Sequence, residues 1–75
     1  MALLDALVRA RREAGLTQTE LAGRLGVHQS YVARIEGGGR RVDAIELIVL
    51  ARALGVPTGA LLAEAEAATD PDHRL

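Results

Sequence analysis

Glycines divide this chain into short apolar segments, and their spacing limits how the chain can fold more than any other feature. Apolar residues recur at steps of three and four in segments that end at Gly15, Gly26, the glycine triplet 37–39 and Gly55, and a further segment begins at Pro57. In the first segment, Leu3, Leu7, Ala10 and Ala14 would lie along one face of a helix, as an apolar stripe. The pattern predicts five short helices joined by tight turns.

The residues available for a core favour helices that pack closely together. The chain contains 14 Ala, 12 Leu, 6 Val and 3 Ile, no Phe or Trp, and Tyr31 as its only aromatic residue. Ala and Leu favour helices, whereas sheets draw on aromatic and β-branched residues. We therefore predict an all-α fold. Because 75 residues can bury only a thin core, a partner or a second copy would help to stabilise it.

Several of the predicted helices begin at residues that typically cap a helix N-terminus. Thr17 and Glu20 have the spacing of a capping box, in which each side chain bonds the backbone N–H of the other residue, and Asp43 and Glu46 repeat that spacing. His28 stands where the third helix needs a polar N-cap. We expect a single domain over residues 1–68 and a polar C-terminal tail over 69–75.

The net charge of -1 conceals an uneven distribution. Residues 1–41 carry seven Arg and four acidic residues, whereas residues 42–75 carry two Arg and six acidic residues. Net charge therefore does not exclude a nucleic acid as a partner. The basic half is suited to phosphate groups, and the acidic half is expected to face away from them.

Several classes of function are excluded by what the sequence lacks. The absence of Cys rules out disulfides, thiol nucleophiles and thiolate zinc sites, and His28 and His73 lie far apart. The glycine triplet is followed by no Gly-Lys-Ser/Thr, so it is not a phosphate-binding P-loop. We expect no enzyme, no metal and no cofactor. Asp5 and Arg9 interrupt the first apolar segment, which argues against a signal peptide and for a cytoplasmic, nucleoid-associated protein.

Two short helices that meet across Leu25-Gly26-Val27 have the local pattern of a helix-turn-helix. The wider set of matching positions is Arg11, Gly15, Leu16, Thr17, Gln18, Leu21, Ala22, Gly26, Val27, Val32, Ile35, Glu36, Gly38, Leu47, Leu50, Ala51, Leu54, Gly55 and Val56. At this spacing the sequence resembles the Cro/repressor (XRE-type) helix-turn-helix family of bacterial or phage transcriptional regulators over roughly residues 3–62. The resemblance implies a compact five-helix, lambda-repressor-like domain with its helix-turn-helix at about 18–36.

The resemblance also implies roles for individual residues. In this family the second helix of the motif enters the DNA major groove and contacts base edges. The residues that match the base-reading positions are Gln29, Ser30 and Arg34. Those expected to contact phosphates are Gln18, Thr17, His28, Tyr31, Arg40 and Arg41. Gln18 is also expected to brace the first base reader. Arg11 and Glu36 match a structural ion pair between the first and third helices.

The fourth helix carries more apolar surface than one core-facing stripe requires. Ile45, Ile48 and Val49 either pack in the core or form a two-fold interface with Leu61 or Leu62. We favour the interface, because Val49 stands where related sequences are usually polar and because a small monomer reads few base pairs. These features predict a dimeric repressor or autoregulator that binds double-stranded DNA at an inverted-repeat operator. The alternative is an antitoxin or protein-interaction module of the same fold that acts mainly through a protein partner.

Overall fold

The structure is a computed structural model that describes residues 2–75. Its helices are α1 (Ala2–Glu13), α2 (Gln18–Leu25), α3 (Gln29–Glu36), α4 (Ala44–Leu54) and α5 (Thr58–Ala68). No strand occurs within the described part of the chain. The predicted all-α fold of five helices is confirmed.

Both predicted capping boxes form. The Thr17 hydroxyl accepts the N–H of Glu20 at 3.1 Å, and the Glu20 carboxylate accepts the N–H of Thr17 at 3.0 Å. At α4 the Asp43 carboxylate accepts the N–H of Glu46 at 2.7 Å, and the Glu46 carboxylate accepts the N–H of Asp43 at 3.0 Å. These contacts satisfy N–H groups that a helix leaves unpaired in its first turn, so α2 and α4 begin where sequence predicts.

The core is aliphatic and lies where the helices meet. α1 packs against α3 and α5, α2 packs against α3 and α4, and α4 packs against α5. The buried side chains are those of Ala6, Leu7, Leu16, Leu21, Ala22, Val32, Ile35, Leu47, Leu50, Ala51, Leu54 and Leu61. The α1 stripe differs from the predicted one, because Ala6 is buried and Ala14 is exposed after the last residue of the helix.

Residues 69–75 follow α5 as an exposed segment that contains a turn. The Asp70 carboxylate accepts the N–H of Asp72 at 2.8 Å within it. Among the described residues, no single helix is long and apolar enough to cross a membrane. α4 and α5 reach that length and hydropathy only when they are taken together, and the pair is bent by 116°.

Candidate nucleic-acid interface

The turn between α2 and α3 determines which side of α3 faces outward. Gly26 has φ +71°, a conformation that favours glycine, and its N–H is directed at the carbonyl groups that end α2. Val27 then donates its N–H to the carbonyl oxygen of Ala22 at 3.0 Å. Because Val32 and Ile35 are 2% exposed and anchor α3 to the core, the polar side of α3 remains at the surface.

The three predicted base readers lie at the start and on the polar side of α3. Ser30 and Arg34, one turn apart, are exposed, and Gln29 is half-buried. His28 caps the helix as predicted, since its Nδ1 accepts the N–H of Ser30 at 3.3 Å and lies 3.0 Å from the Ser30 hydroxyl. The imidazole therefore holds the Ser30 side chain close to the helix end.

A chain of hydrogen bonds connects Gln29 to the interior of the domain. The side-chain N–H of Gln29 donates to the side-chain oxygen of Gln18 at 2.8 Å, and the side-chain N–H of Gln18 donates to Glu36 Oε1 at 3.0 Å. Arg11 in turn donates to Glu36 Oε2 through Nε at 2.7 Å and to Oε1 through Nη2 at 3.0 Å. Three side chains, one each from α1, α2 and α3, thus support the first residue of α3.

The ion pair at the base of this chain is almost enclosed. Only 11% of the Arg11 side chain and 9% of the Glu36 side chain are exposed. Burial raises the pKa of Glu36, but the hydrogen bonds from Arg11 and Gln18 outweigh it, so that this pKa lies below its ordinary value. The hydrogen bond to Glu36 raises the pKa of Arg11 above its ordinary value. Both groups are therefore charged at neutral pH.

Two residues predicted to contact phosphate, Tyr31 and Arg40, bond to a carboxylate of the same chain. Arg40 Nη2 donates to Glu46 Oε2 and to the Tyr31 hydroxyl, and its guanidinium lies 4.7 Å from the centre of the Tyr31 ring. The Tyr31 hydroxyl also donates to Glu46 Oε2. This Tyr31–Arg40–Glu46 cluster ties α3 and the following loop to α4, while Arg41 remains exposed.

Glu46 was predicted only as part of a capping box, and its second role was missed. One carboxylate oxygen accepts the backbone N–H of Asp43 while the other accepts Tyr31 and Arg40. Glu46 is 15 residues from Tyr31 and six from Arg40, so no helical periodicity connects them. What could have suggested this contact is that two hydrogen-bond donors, Tyr31 and Arg40, precede α4 in the sequence.

The apolar residues of α4 divide between the core and an exposed surface. Ile45 is 69% exposed and Val49 is 44% exposed, and Ile48 is half-buried. Ile45 and Val49 line a shallow groove together with Val27 and Leu25 from the turn between α2 and α3. We call these four residues and Ile48 the α4 surface.

The two candidate residues on α5 lie in different environments. Leu61 is 3% exposed and belongs to the core, whereas Leu62 is 52% exposed. Of the two leucines, Leu62 therefore offers its side chain to a partner, because that of Leu61 is already covered by the other helices.

Comparison with known proteins agrees with this geometry. Residues 7–61 match the family described as Helix-turn-helix. The structure superposes with a TM-score of 0.84 on an XRE-family like protein from Pseudomonas syringae pv. tomato, with 49% sequence identity over 92% of this chain and 84% of that one. This chain belongs to the XRE-type helix-turn-helix family. The resemblance that the sequence motif indicated is confirmed.

Two further relatives are similar to this XRE-type protein. The clp gene regulator ClgR from C. glutamicum has a TM-score of 0.84 and 31% identity, over 95% of this chain and 92% of that one. The uncharacterized HTH-type transcriptional regulator y4dJ of Sinorhizobium fredii is 50% identical over 48 residues. That match covers 64% of this chain and 62% of the relative's length.

The Glu46 cluster predicts how the stability of this XRE-type domain depends on pH. The hydrogen bonds from Tyr31, the Asp43 N–H and Arg40 lower the pKa of Glu46 to about 2. Because the folded pKa lies below the unfolded value, the stabilisation is complete above pH 4.5 and decreases as pH falls toward 2. Thermal unfolding midpoints measured from pH 7 to pH 3 should show this decrease. The Glu46→Gln variant should show a shallower dependence, and an unchanged slope would contradict the assignment.

Proposed function

We propose that this XRE-type protein is a sequence-specific DNA-binding transcriptional regulator that reads its operator in the major groove through α3. The observation that carries the proposal is the exposed polar start of α3, where Gln29 is braced by Gln18 and followed by Ser30 and Arg34. Base recognition requires donors and acceptors held in place on an element that fits the groove. The names of the two relatives, a clp gene regulator and an HTH-type transcriptional regulator, support the same assignment.

The surrounding groups are suited to contact the DNA backbone. The first turn of α2 presents backbone N–H groups beside Gln18, and a helix N-terminus attracts a phosphate. Arg41 is exposed beyond the other end of α3. Arg40 and Tyr31 must leave or share the Glu46 carboxylate in order to reach DNA. Arg41 is therefore our first candidate for a side chain that neutralises a phosphate.

Fluorescence anisotropy provides the direct test. Labelled duplexes from the DNA upstream of the gene are titrated with the protein at several salt concentrations, and an unrelated duplex of the same length serves as the control. We expect a preference for one upstream site and an affinity that falls as salt rises, because phosphate contacts release counterions. Equal affinity for both duplexes, or binding that does not depend on salt, would contradict the proposal.

Arg34 and Arg41 should differ in how they affect binding. Arg34→Ala is expected to cost about 1–3 kcal/mol of binding free energy and to relax the preference at one base position, because a base contact is lost. Arg41→Ala is expected to weaken binding to all sequences equally and to flatten the salt dependence. Anisotropy with a set of single-base operator variants separates the two effects. If Arg34→Ala weakens every duplex equally, α3 does not read bases through Arg34.

We further propose that the protein binds as a dimer through the α4 surface. Val27, Ile45 and Val49 are exposed and line one groove, and a contiguous apolar patch of this kind, unlike scattered single apolar residues, supports an apolar contact at this surface. A two-fold dimer separates two recognition helices by about 34 Å, one turn of DNA, which requires an inverted-repeat operator.

The same exposed surface is the observation that favours the second candidate function, an antitoxin or interaction module. A stoichiometric partner protein without DNA preference would favour that candidate.

A further inference from the structure

The hydrogen-bond chain from Glu36 to Gln29 has a direction that its chemistry imposes. An ionised carboxylate accepts hydrogen bonds and cannot donate them. Gln18 must therefore turn its NH2 group toward Glu36, which it does at 3.0 Å, and its carbonyl oxygen toward Gln29. That oxygen also accepts and cannot donate, so Gln29 must direct an N–H at it, which it does at 2.8 Å. The orientation of both side-chain amides follows from one negative charge.

We propose that Glu36 is a specificity-determining positioning residue, which holds the Gln29 amide in the orientation that selects adenine over guanine. The inference rests on the proposed function, since it names the base that the start of α3 reads. Glu36 acts through Gln18 and Gln29, because only 9% of its own side chain is exposed. It is thus separated from the base edge by two side chains.

The orientation determines which atoms Gln29 offers to DNA. One of its two N–H groups is used on Gln18, which leaves the other N–H and the carbonyl oxygen. Adenine presents the N7 acceptor and the N6 donor in the major groove, and it pairs with one donor and one acceptor. Guanine presents two acceptors, N7 and O6, so the Gln29 carbonyl oxygen would meet another acceptor. The observed arrangement therefore fits adenine.

The ion pair keeps this arrangement rigid. Arg11 donates to both oxygens of Glu36, and a third bond from Arg11 reaches the carbonyl oxygen of Leu16 at 2.9 Å. Rotation of the Glu36 carboxylate would break both contacts with Arg11 in a site from which water is largely excluded. Arg11 thus fixes the carboxylate, the carboxylate fixes Gln18, and Gln18 fixes Gln29.

A neutral amide at position 36 removes the constraint. In Glu36→Gln the new side chain can keep its oxygen on Arg11 Nε and place its NH2 group where Oε1 stood, so that this group donates to Gln18 and the contact with Arg11 Nη2 is given up. Gln18 then offers its oxygen to residue 36 and its N–H to Gln29, which must accept through its own oxygen. Two N–H donors of Gln29 then remain for DNA, and two donors match the N7 and O6 acceptors of guanine.

Parallel selection from a randomised duplex library tests the proposal with wild type, Glu36→Gln, Gln18→Leu and the control Glu64→Gln. Glu64→Gln removes a carboxylate from an exposed ion pair with Arg9, away from α3. Wild type and the control should prefer adenine over guanine at one position of each half-site, by on the order of tenfold. Glu36→Gln should lose or reverse this preference, and Gln18→Leu should lose it while keeping the Arg11–Glu36 pair. An unchanged preference in a folded Glu36→Gln or in Gln18→Leu would overturn the proposal.

A measurement without DNA separates this inference from the proposed function. In the ¹⁵N–¹H spectrum of the free protein, Glu36→Gln and Gln18→Leu should both shift the side-chain NH2 signals of Gln29, whereas Glu64→Gln should leave them in place. Unshifted Gln29 signals in Gln18→Leu would overturn the hydrogen-bond chain whether or not the protein binds DNA. Failure of the wild-type protein to select any sequence, with the shifts present, would overturn both the base assignment and the proposed function while leaving the chain intact.

Discussion

Replacing Arg11 with alanine is expected to lower the free energy of unfolding by about 3–5 kcal/mol. The change leaves the Glu36 carboxylate, 9% exposed, without its two hydrogen bonds from Arg11, and it leaves the Leu16 carbonyl oxygen without its bond from the same guanidinium. A domain of this length has a total stability of roughly 4–11 kcal/mol. Urea unfolding followed by circular dichroism at pH 7 should therefore show a midpoint at a much lower urea concentration than that of the wild type.

The second ion pair of α1 provides a matched control. Arg9 bonds Glu64 at 2.9 Å, but 56% of the Arg9 side chain and 49% of the Glu64 side chain are exposed. Arg9→Ala should cost no more than about 1 kcal/mol, because an exposed pair is screened by water and salt. The double change of Arg11→Met with Glu36→Leu should recover much of the loss, since no unpaired charge remains. Equal losses for Arg9→Ala and Arg11→Ala would contradict the structural role of the enclosed pair.

Replacing Val49 with glutamate is expected to convert the protein to a monomer and to lower operator affinity on the order of 10²–10⁴-fold. Val49 is 44% exposed, so the free domain can hold a charge there with its helix intact. At an apolar two-fold contact the same substitution would place two carboxylates near each other without water. Two recognition helices that are no longer linked lose the gain in effective concentration that a dimer provides.

Light scattering at tens of micromolar protein measures the first effect, and anisotropy on the inverted-repeat operator measures the second. Ala67→Glu adds the same charge to an exposed position of α5, and it should leave both the mass and the affinity unchanged. Leu62→Glu tests whether α5 contributes to the contact. A wild-type protein that scatters as a monomer, or a Val49→Glu variant that remains dimeric, would contradict the proposed interface.

Features that depend on neighbouring residues were predicted correctly. The capping boxes at Thr17 and Asp43, the His28 cap and the turn at Gly26 all involve groups within four residues of each other. The prediction of which α1 residues face the core was less accurate. Periodicity alone extended the apolar stripe to Ala14, but the residue lies beyond the end of α1 and is exposed, while Ala6 is buried. Ala6 lies three residues after Leu3 and four before Ala10, on the same face of the helix, and Ala14 leaves that face because α1 ends at Glu13.

The candidate site was predictable as a set of positions but not as a network. The resemblance to the family indicated that Gln29 follows the turn and that Gln18 lies close to it. It did not indicate that Arg40 and Tyr31 share the Glu46 carboxylate, because that contact joins residues of α3, the following loop and α4 that only folding brings within reach. The exposure of the α4 surface was likewise left open, since a helix with apolar residues on several sides is compatible with a core or an interface.

By itself, the sequence determined where α2, α3 and α4 begin and end, because their capping hydrogen bonds and glycine turns form between residues a few positions apart. Only the tertiary structure decided how the side chains of different helices combine. The enclosed Arg11–Glu36 pair, the Gln18 amide that connects it to Gln29, and the Glu46 cluster join residues 6 to 25 positions apart. Such contacts depend on the angles and distances between packed helices, which the aliphatic core establishes after the local elements have formed.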